Sequence, residues 1–110
     1  MKNSLFKKII VFSFITLNCA NCLAQCWSKI SCGNSFTIAI KSDGTLWEWG
    51  RNDYFQLGDG TAISKLSPIQ ISSDTNWADV SSNDWHSVAL KNDGTLWSWG
   101  YNQYGVLGNG

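Results

Sequence analysis

Histidine occurs once in this 110-residue sequence, at His86, and proline once, at Pro68. With a single imidazole and no His/Cys/Glu cluster at ligand spacing around it, a metal cage has no donors. No Gly-x-Ser-x-Gly elbow, phosphate loop or Cys/His dyad occurs. No residue is therefore a candidate for catalysis, and the expectation is a non-enzyme without metal or cofactor. A basic excess is lacking too. Lys2, Lys7 and Lys8 hold three of the eight Lys/Arg, which leaves five against eight Asp/Glu in the rest of the chain. That balance denies nucleic acid the basic face it needs for counterion displacement. No apolar run reaches the roughly 20 residues of a membrane-spanning helix, and after residue 24 no i, i+3, i+4 periodicity asks for a helix.

The three early lysines precede the short apolar run Ile9–Leu17. A basic start, an apolar centre and small residues at Cys22 and Ala24 describe a secretory signal peptide over residues 1–24, cut after Ala24. A buried first helix, a membrane anchor and a signal that stays uncleaved are the alternatives. The expectation is a secreted or cell-envelope protein with no membrane span once the signal is removed. Cys19 and Cys22 would leave with the signal, and Cys26 and Cys32 would stay. If both ends of Trp27–Cys32 belong to one strand, a rise of about 3.3 Å per residue holds the two remaining cysteines roughly 20 Å apart. A bridge needs less than about 7 Å, so they pair only if the chain folds back near Cys26. Leu23-Ala24-Gln25 before Cys26 resembles a lipobox, with Gln25 where a small residue is expected.

What the sequence has in quantity is tryptophan, seven residues, all after position 26. They belong to a repeat. Asp43-Gly44-Thr45-Leu46-Trp47-Glu48-Trp49-Gly50 returns as Asp93-Gly94-Thr95-Leu96-Trp97-Ser98-Trp99-Gly100, with one change, Glu48 to Ser98. Sliding Cys26–Gly60 onto Asn76–Gly110 at an offset of fifty gives 16 identities in 35 positions without a gap. A period of that size means an array of supersecondary units, here residues 25–75 and an incomplete second unit, 76–110. Within the first unit, Trp27–Ser31, Phe36–Lys41, Thr45–Trp49 and Ser67–Ile71 read as strands. Pro68 suits an edge, where no ladder donor is lost. The fold class is all-β, with four-stranded antiparallel blades of a β-propeller.

The Asp-Gly pairs invite a calcium reading, but EF-hand spacing is absent and hairpin turns account for them. Trp47 with Trp49, and Trp97 with Trp99, alternate along their strands. Each pair faces one way, into a blade-to-blade core, with stacking on sugars or bases as the alternative. His86 shares parity with Val88 and Leu90 and reads as a buried, hydrogen-bonded histidine.

These residues resemble the RCC1 family, the repeats named for the regulator of chromosome condensation, over essentially all of residues 26–110. One family pattern appears as Ile30–Ile40 and Val80–Leu90, with Phe36 replacing the family histidine in the first copy and Asn83 replacing the glycine in the second. The other, Gly-x-Asn-x-x-Gly-Gln-Leu-Gly, appears as Gly50–Gly58 and Gly100–Gly108. It carries Asn52, Leu57 and Gly58 in the first copy and Asn102, Leu107 and Gly108 in the second. Phe55 replaces a glycine and Val106 a glutamine. The resemblance implies a seven-bladed propeller, of which these residues would be the opening blades, and, taken with the signal segment, a secreted, bacterial-type member acting as a protein-interaction scaffold with an unidentified protein partner. Loops Asn52–Thr61 and Asn102–Gly110 would be the contact surface. Accessory repeats of a larger secreted enzyme or regulator, and carbohydrate binding at a cell surface, are the alternatives. The exchange activity on a small nuclear GTPase for which the family is named does not carry over, because no matching loop residues are present.

Overall fold

Residue alternation in this chain produces strands and nothing else among the described residues, 26–110 of a computed structural model. The expected signal segment and its cleavage point lie outside them. Strands β1 (Trp27–Cys32), β2 (Phe36–Lys41), β3 (Leu46–Gly50) and β4 (Lys65–Gln70) form an antiparallel sheet in that order. Strands β5 (Trp77–Asn83), β6 (His86–Lys91) and β7 (Leu96–Gly100) form a second, three-stranded sheet. These are two successive propeller blades.

The fourth strand begins two residues before the expected Ser67. The pairing of Gly50 with Lys65, beyond an irregularity after Glu48, extends the ladder past Pro68. Pro68 itself sits on the edge strand, as its missing donor requires. Cys32 is an exposed free thiol, so a Cys26–Cys32 bridge is not formed.

Register determines what each face carries. Ile38 pairs with Glu48 and Ile40 with Leu46, so these four side chains share one face of the first blade. That face is covered by the second blade, where Trp77 and Ala89 complete a cluster with Ile38, Ile40 and Leu46, and Trp99 packs against it. The opposite face of the first blade carries Trp27 in ring contact with both Trp47 and Trp49, at 6.3 and 5.6 Å. The seam thus joins unlike surfaces, an aliphatic face of one blade and the tryptophan face of the next. Ser31 and Ser82 hydroxyls, 2.9 Å apart, and the Asn34 amide donating to the Asp84 carbonyl tie β1 to the second blade.

The shared octapeptide is explained residue by residue at the β2–β3 and β6–β7 turns. Gly44 and Gly94 take φ of 84° and 88°, whereas neither aspartate has a positive φ. Each hairpin is therefore a three-residue loop with the glycine in the bulge position, rather than a two-residue turn with both residues left-handed. The aspartate contributes its carboxylate instead. Asp43 Oδ1 accepts from the Thr45 amide (3.1 Å) and hydroxyl (2.6 Å), and Thr45 Oγ1 accepts from Trp47 Nε1 (2.8 Å). Asp93, Thr95 and Trp97 repeat the relay. The threonine hydrogen bonds hold both carboxylates below their ordinary pKa.

The two turns differ in what surrounds them. A Cβ on Gly44 would lie 1.9 Å from the Thr75 carbonyl oxygen, while one on Gly94 would meet nothing within 4 Å. Left-handed φ alone costs an alanine about 1 kcal/mol. Urea unfolding of Gly94→Ala is expected to show a loss of about that size, and Gly44→Ala a loss of about 3 kcal/mol or more, because backbone must also move. Equal losses would mean that the Thr75 segment does not pack on the turn.

Candidate functional site

One end of both blades gathers the turn at 33–35, the loop at 51–64, the turn at 84–85 and the segment from 101 onward. The arrangement is set by backbone. The Arg51 amide donates to the Ser35 carbonyl (2.8 Å), and the Tyr101 amide to the Trp85 carbonyl (2.9 Å). Gly50 and Gly100, both at φ 108°, let strand end and turn approach this closely. Asn52 then shapes the long loop from within. Fully buried, it accepts from the Leu57 amide (2.9 Å) and donates to the carbonyls of Thr61 (2.8 Å) and Ile63 (3.1 Å) and to Asp59 Oδ1 (3.1 Å). Asn102 repeats the bond to the Leu107 amide at 3.0 Å. Asp59 also takes the Thr61 amide and hydroxyl and the Lys65 ammonium. Partial burial raises its pKa, but Lys65, Thr61 and Asn52 outweigh that and bring it down to about 2.

Beneath the loop lies the seam. Glu48 is fully buried between the blades, and Trp99 Nε1 donates to its Oε1 at 2.9 Å. Burial pushes the Glu48 carboxyl up to about 9 despite help from Trp99 and Ser87, and Asp59 adds to the rise. Ser87 Oγ stands 3.3 Å from Glu48 Oε2 and 3.0 Å from the Gln56 carbonyl. A hydroxyl has one proton and a carbonyl only accepts, so the neutral carboxyl supplies the proton between Glu48 and Ser87. The other copy has Ser98 here, whose hydroxyl donates to the Leu107 carbonyl (2.7 Å). Gly58, at φ 63°, admits the Trp99 indole, since a Cβ there would lie 2.7 Å from the ring.

On the surface of this end, three rings meet. Tyr54 lies 5.4 Å from Trp85 and 4.9 Å from Tyr101, and Trp85 and Tyr101 stand 5.4 Å apart at 89°. Tyr104 is 82% exposed beside them, and Phe55 is exposed at the loop tip with φ 62°. A bulky residue is strained in that conformation, and the second copy has Gly105 there, at φ 71°.

Of the residues singled out in the sequence, Asp43, Gly44, Asp93 and Gly94 build turns at the opposite end. Asn52, Leu57, Asn102 and Leu107 organise the loops. Gly108 takes φ 67°. Trp97 and Trp99 lie on the seam side of the second blade, and Trp47 and Trp49 on the outer side of the first. His86 departs from expectation. It is half-buried, and its side chain has no hydrogen bond among the described residues. Its parity with Val88 and Leu90 is right, but their face is not covered as Phe36, Ile38 and Ile40 are in the first blade. The sequence reading missed Glu48 as a seam residue and Trp85 and Tyr101 as a cluster. The parity of Glu48 with Leu46 was the available signal for the former.

The family model described as "Regulator of chromosome condensation (RCC1) repeat" matches residues 43–90. A second model of the same description matches 27–56 and 77–106. Among curated proteins, the chain is 37% identical over 46 residues to the mitochondrial RCC1 domain-containing protein RUG3 of Arabidopsis thaliana, covering 42% of this chain and 10% of that protein. It is 40% identical over 40 residues to the E3 ubiquitin-protein ligase HERC2 of Homo sapiens, covering 36% and 1%. It is 43% identical over 44 residues to the ultraviolet-B receptor UVR8 of Arabidopsis thaliana, covering 40% and 10%. The chain thus spans a tenth or less of these relatives. Among solved structures, yeast RCC1 (Prp20) bound to Kap60 superposes with a TM-score of 0.70 at 24% identity, covering 76% of this chain and 22% of that one. Human WBSCR16 gives 0.61 at 20%, covering 69% and 20%.

The seam carboxyl predicts a pH dependence. Folded Glu48 holds its proton up to about 9, whereas the unfolded group ionises near 4.5. Stability is full below the unfolded value and declines as pH rises between the two, by up to about 1.4 kcal/mol per pH unit. Urea unfolding from pH 5 to 9 is expected to show that decline. Glu48→Gln, which keeps both hydrogen bonds without a titrating group, is expected to flatten it and to gain stability at pH 8.

Proposed function

The chain belongs to the family of RCC1 (regulator of chromosome condensation) repeats, and from that membership and its aromatic loop face we propose that it is a protein-interaction module. The observation that carries this reading is the Tyr54–Trp85–Tyr101 cluster with Phe55 and Tyr104 exposed beside it. Tyrosine and tryptophan are enriched among the few residues that carry most of the energy at protein contacts, and loops on a rigid sheet are where propellers present them. Phe55 supports the reading further. It accepts a left-handed backbone in order to place a ring at a loop tip, where a glycine would be free of strain. The sheets serve as scaffold, and no catalytic step is assigned to them.

The basic start and apolar run of residues 1–24 support export as part of the same reading. In a host with a secretory pathway, the intact mass of the exported chain is expected to correspond to a start at Gln25. A cytosolic protein that retains Met1–Ala24 would contradict export.

Function and folding separate at Phe55. Phe55→Gly is expected to raise stability by about 1 kcal/mol while lowering the yield of partner cross-linked through a photoreactive residue at position 104. The same photoreactive residue at Asn92, on the opposite end, is expected to capture no such partner. Equal capture from both ends would place the contact elsewhere.

A further inference from the structure

We propose that the corner between Trp85 and Tyr101 is a docking pocket for a lysine side chain of a partner polypeptide, a proposal that rests on the protein-interaction reading above. The chain itself supplies the precedent twice. Trp27 and Trp47 meet at 90°, and Lys41 Nζ lies 3.7 Å from the Trp47 ring centre and 5.1 Å from that of Trp27. Trp77 and Trp97 meet at 73°, and Lys91 Nζ lies 4.8 and 4.5 Å from their centres. In both repeats a pair of steeply crossed rings holds an ammonium by attraction to the ring faces.

Trp85 and Tyr101 make a third such corner, at 5.4 Å and 89°. Together with Asp84, His86, Gln103 and Tyr104 they line a cavity of about 180 Å³. No lysine or arginine of the described residues lines it. Arg51 lies over Tyr54 at 5.7 Å and is held by both carboxylate oxygens of Asp53. Lys65 is paired with Asp59, and Lys91 with Asp74. Asp84 is exposed and has no ion pair among the described residues. The pocket therefore offers two crossed rings, a third ring and an unneutralised carboxylate. Its volume falls below the roughly 300–1,000 Å³ of small-molecule sites, which suits one side chain rather than a whole ligand. The excess of acidic over basic residues after the first eight positions favours a basic partner.

The test is a titration of the full chain with capped Gly-Gly-Lys-Gly-Gly and with its norleucine counterpart, which keeps the stem and removes the charge. The Trp85 indole resonance is the readout, and the Trp77 and Trp99 indoles are the folding control. The lysine peptide is expected to shift the Trp85 signal saturably and to bind about fivefold tighter than the norleucine peptide. Asp84→Asn is expected to erase most of that preference while the control resonances stay in place. Trp85→Ala, with the same controls unmoved, is expected to abolish the response of the Tyr101 ring. Equal binding of both peptides would overturn the lysine proposal and leave the docking-face reading standing. If neither peptide moves the Trp85 signal, the pocket proposal fails, and cross-linking from position 104 still decides the interaction reading separately.

Discussion

One indole, that of Trp99, joins the buried centres of the two blades. It crosses the seam, donates to a carboxyl buried in the preceding blade, and rests where only a residue without a side chain, Gly58, leaves room. Each strand pair has an apolar face that its own blade cannot cover. The indole supplies apolar area and one directed hydrogen bond together, so it excludes water from the seam and also sets the relative position of the sheets. Ser87 and Gln56 extend the polar contact to the loop above, which couples the loop's base to the packing below.

Two carboxyls close to this seam titrate in opposite directions for reasons visible in their surroundings. Glu48 has hydrogen bonds but no cation, and burial dominates. Asp59 is also drawn from water, yet an ammonium and three other donors reverse the result. The contribution of Asp59 is present above its unfolded value of 3.8 and is lost as pH falls toward 2. Glu48 weakens the fold as pH rises above 4.5. The two together place greatest stability in mildly acidic solution.

Much of the architecture was legible in the residues because repetition and alternation are local signals. The fifty-residue offset, the alternation in Phe36–Lys41 and the glycine-closed hairpins all point to antiparallel blades. Pro68 marks an edge strand from its chemistry alone. The turn geometry was less legible, since an Asp-Gly pair fits two kinds of hairpin, and only the backbone distinguishes them. The buried role of Glu48 was hidden by a prior that charged side chains stay in water. The aromatic cluster was harder still. Tyr54, Trp85 and Tyr101 are far apart in the chain, and two of them stand where the copies disagree, opposite Ser35 and Arg51. Self-comparison brings out what a blade needs in order to be a blade. It passes over the positions released from that need, and here those positions carry the candidate contact surface.

The unlike surfaces joined at the seam also give the duplication a direction. The first copy carries the carboxyl and the second the indole that meets it, so the two repeats are not interchangeable tiles. Exchanging their order would bring Ser98, a short hydroxyl, to face Trp49 and would send Glu48 to a face that lacks its present acceptor and donor partners. The single difference within the octapeptide thus acts as an address label that says which blade comes first.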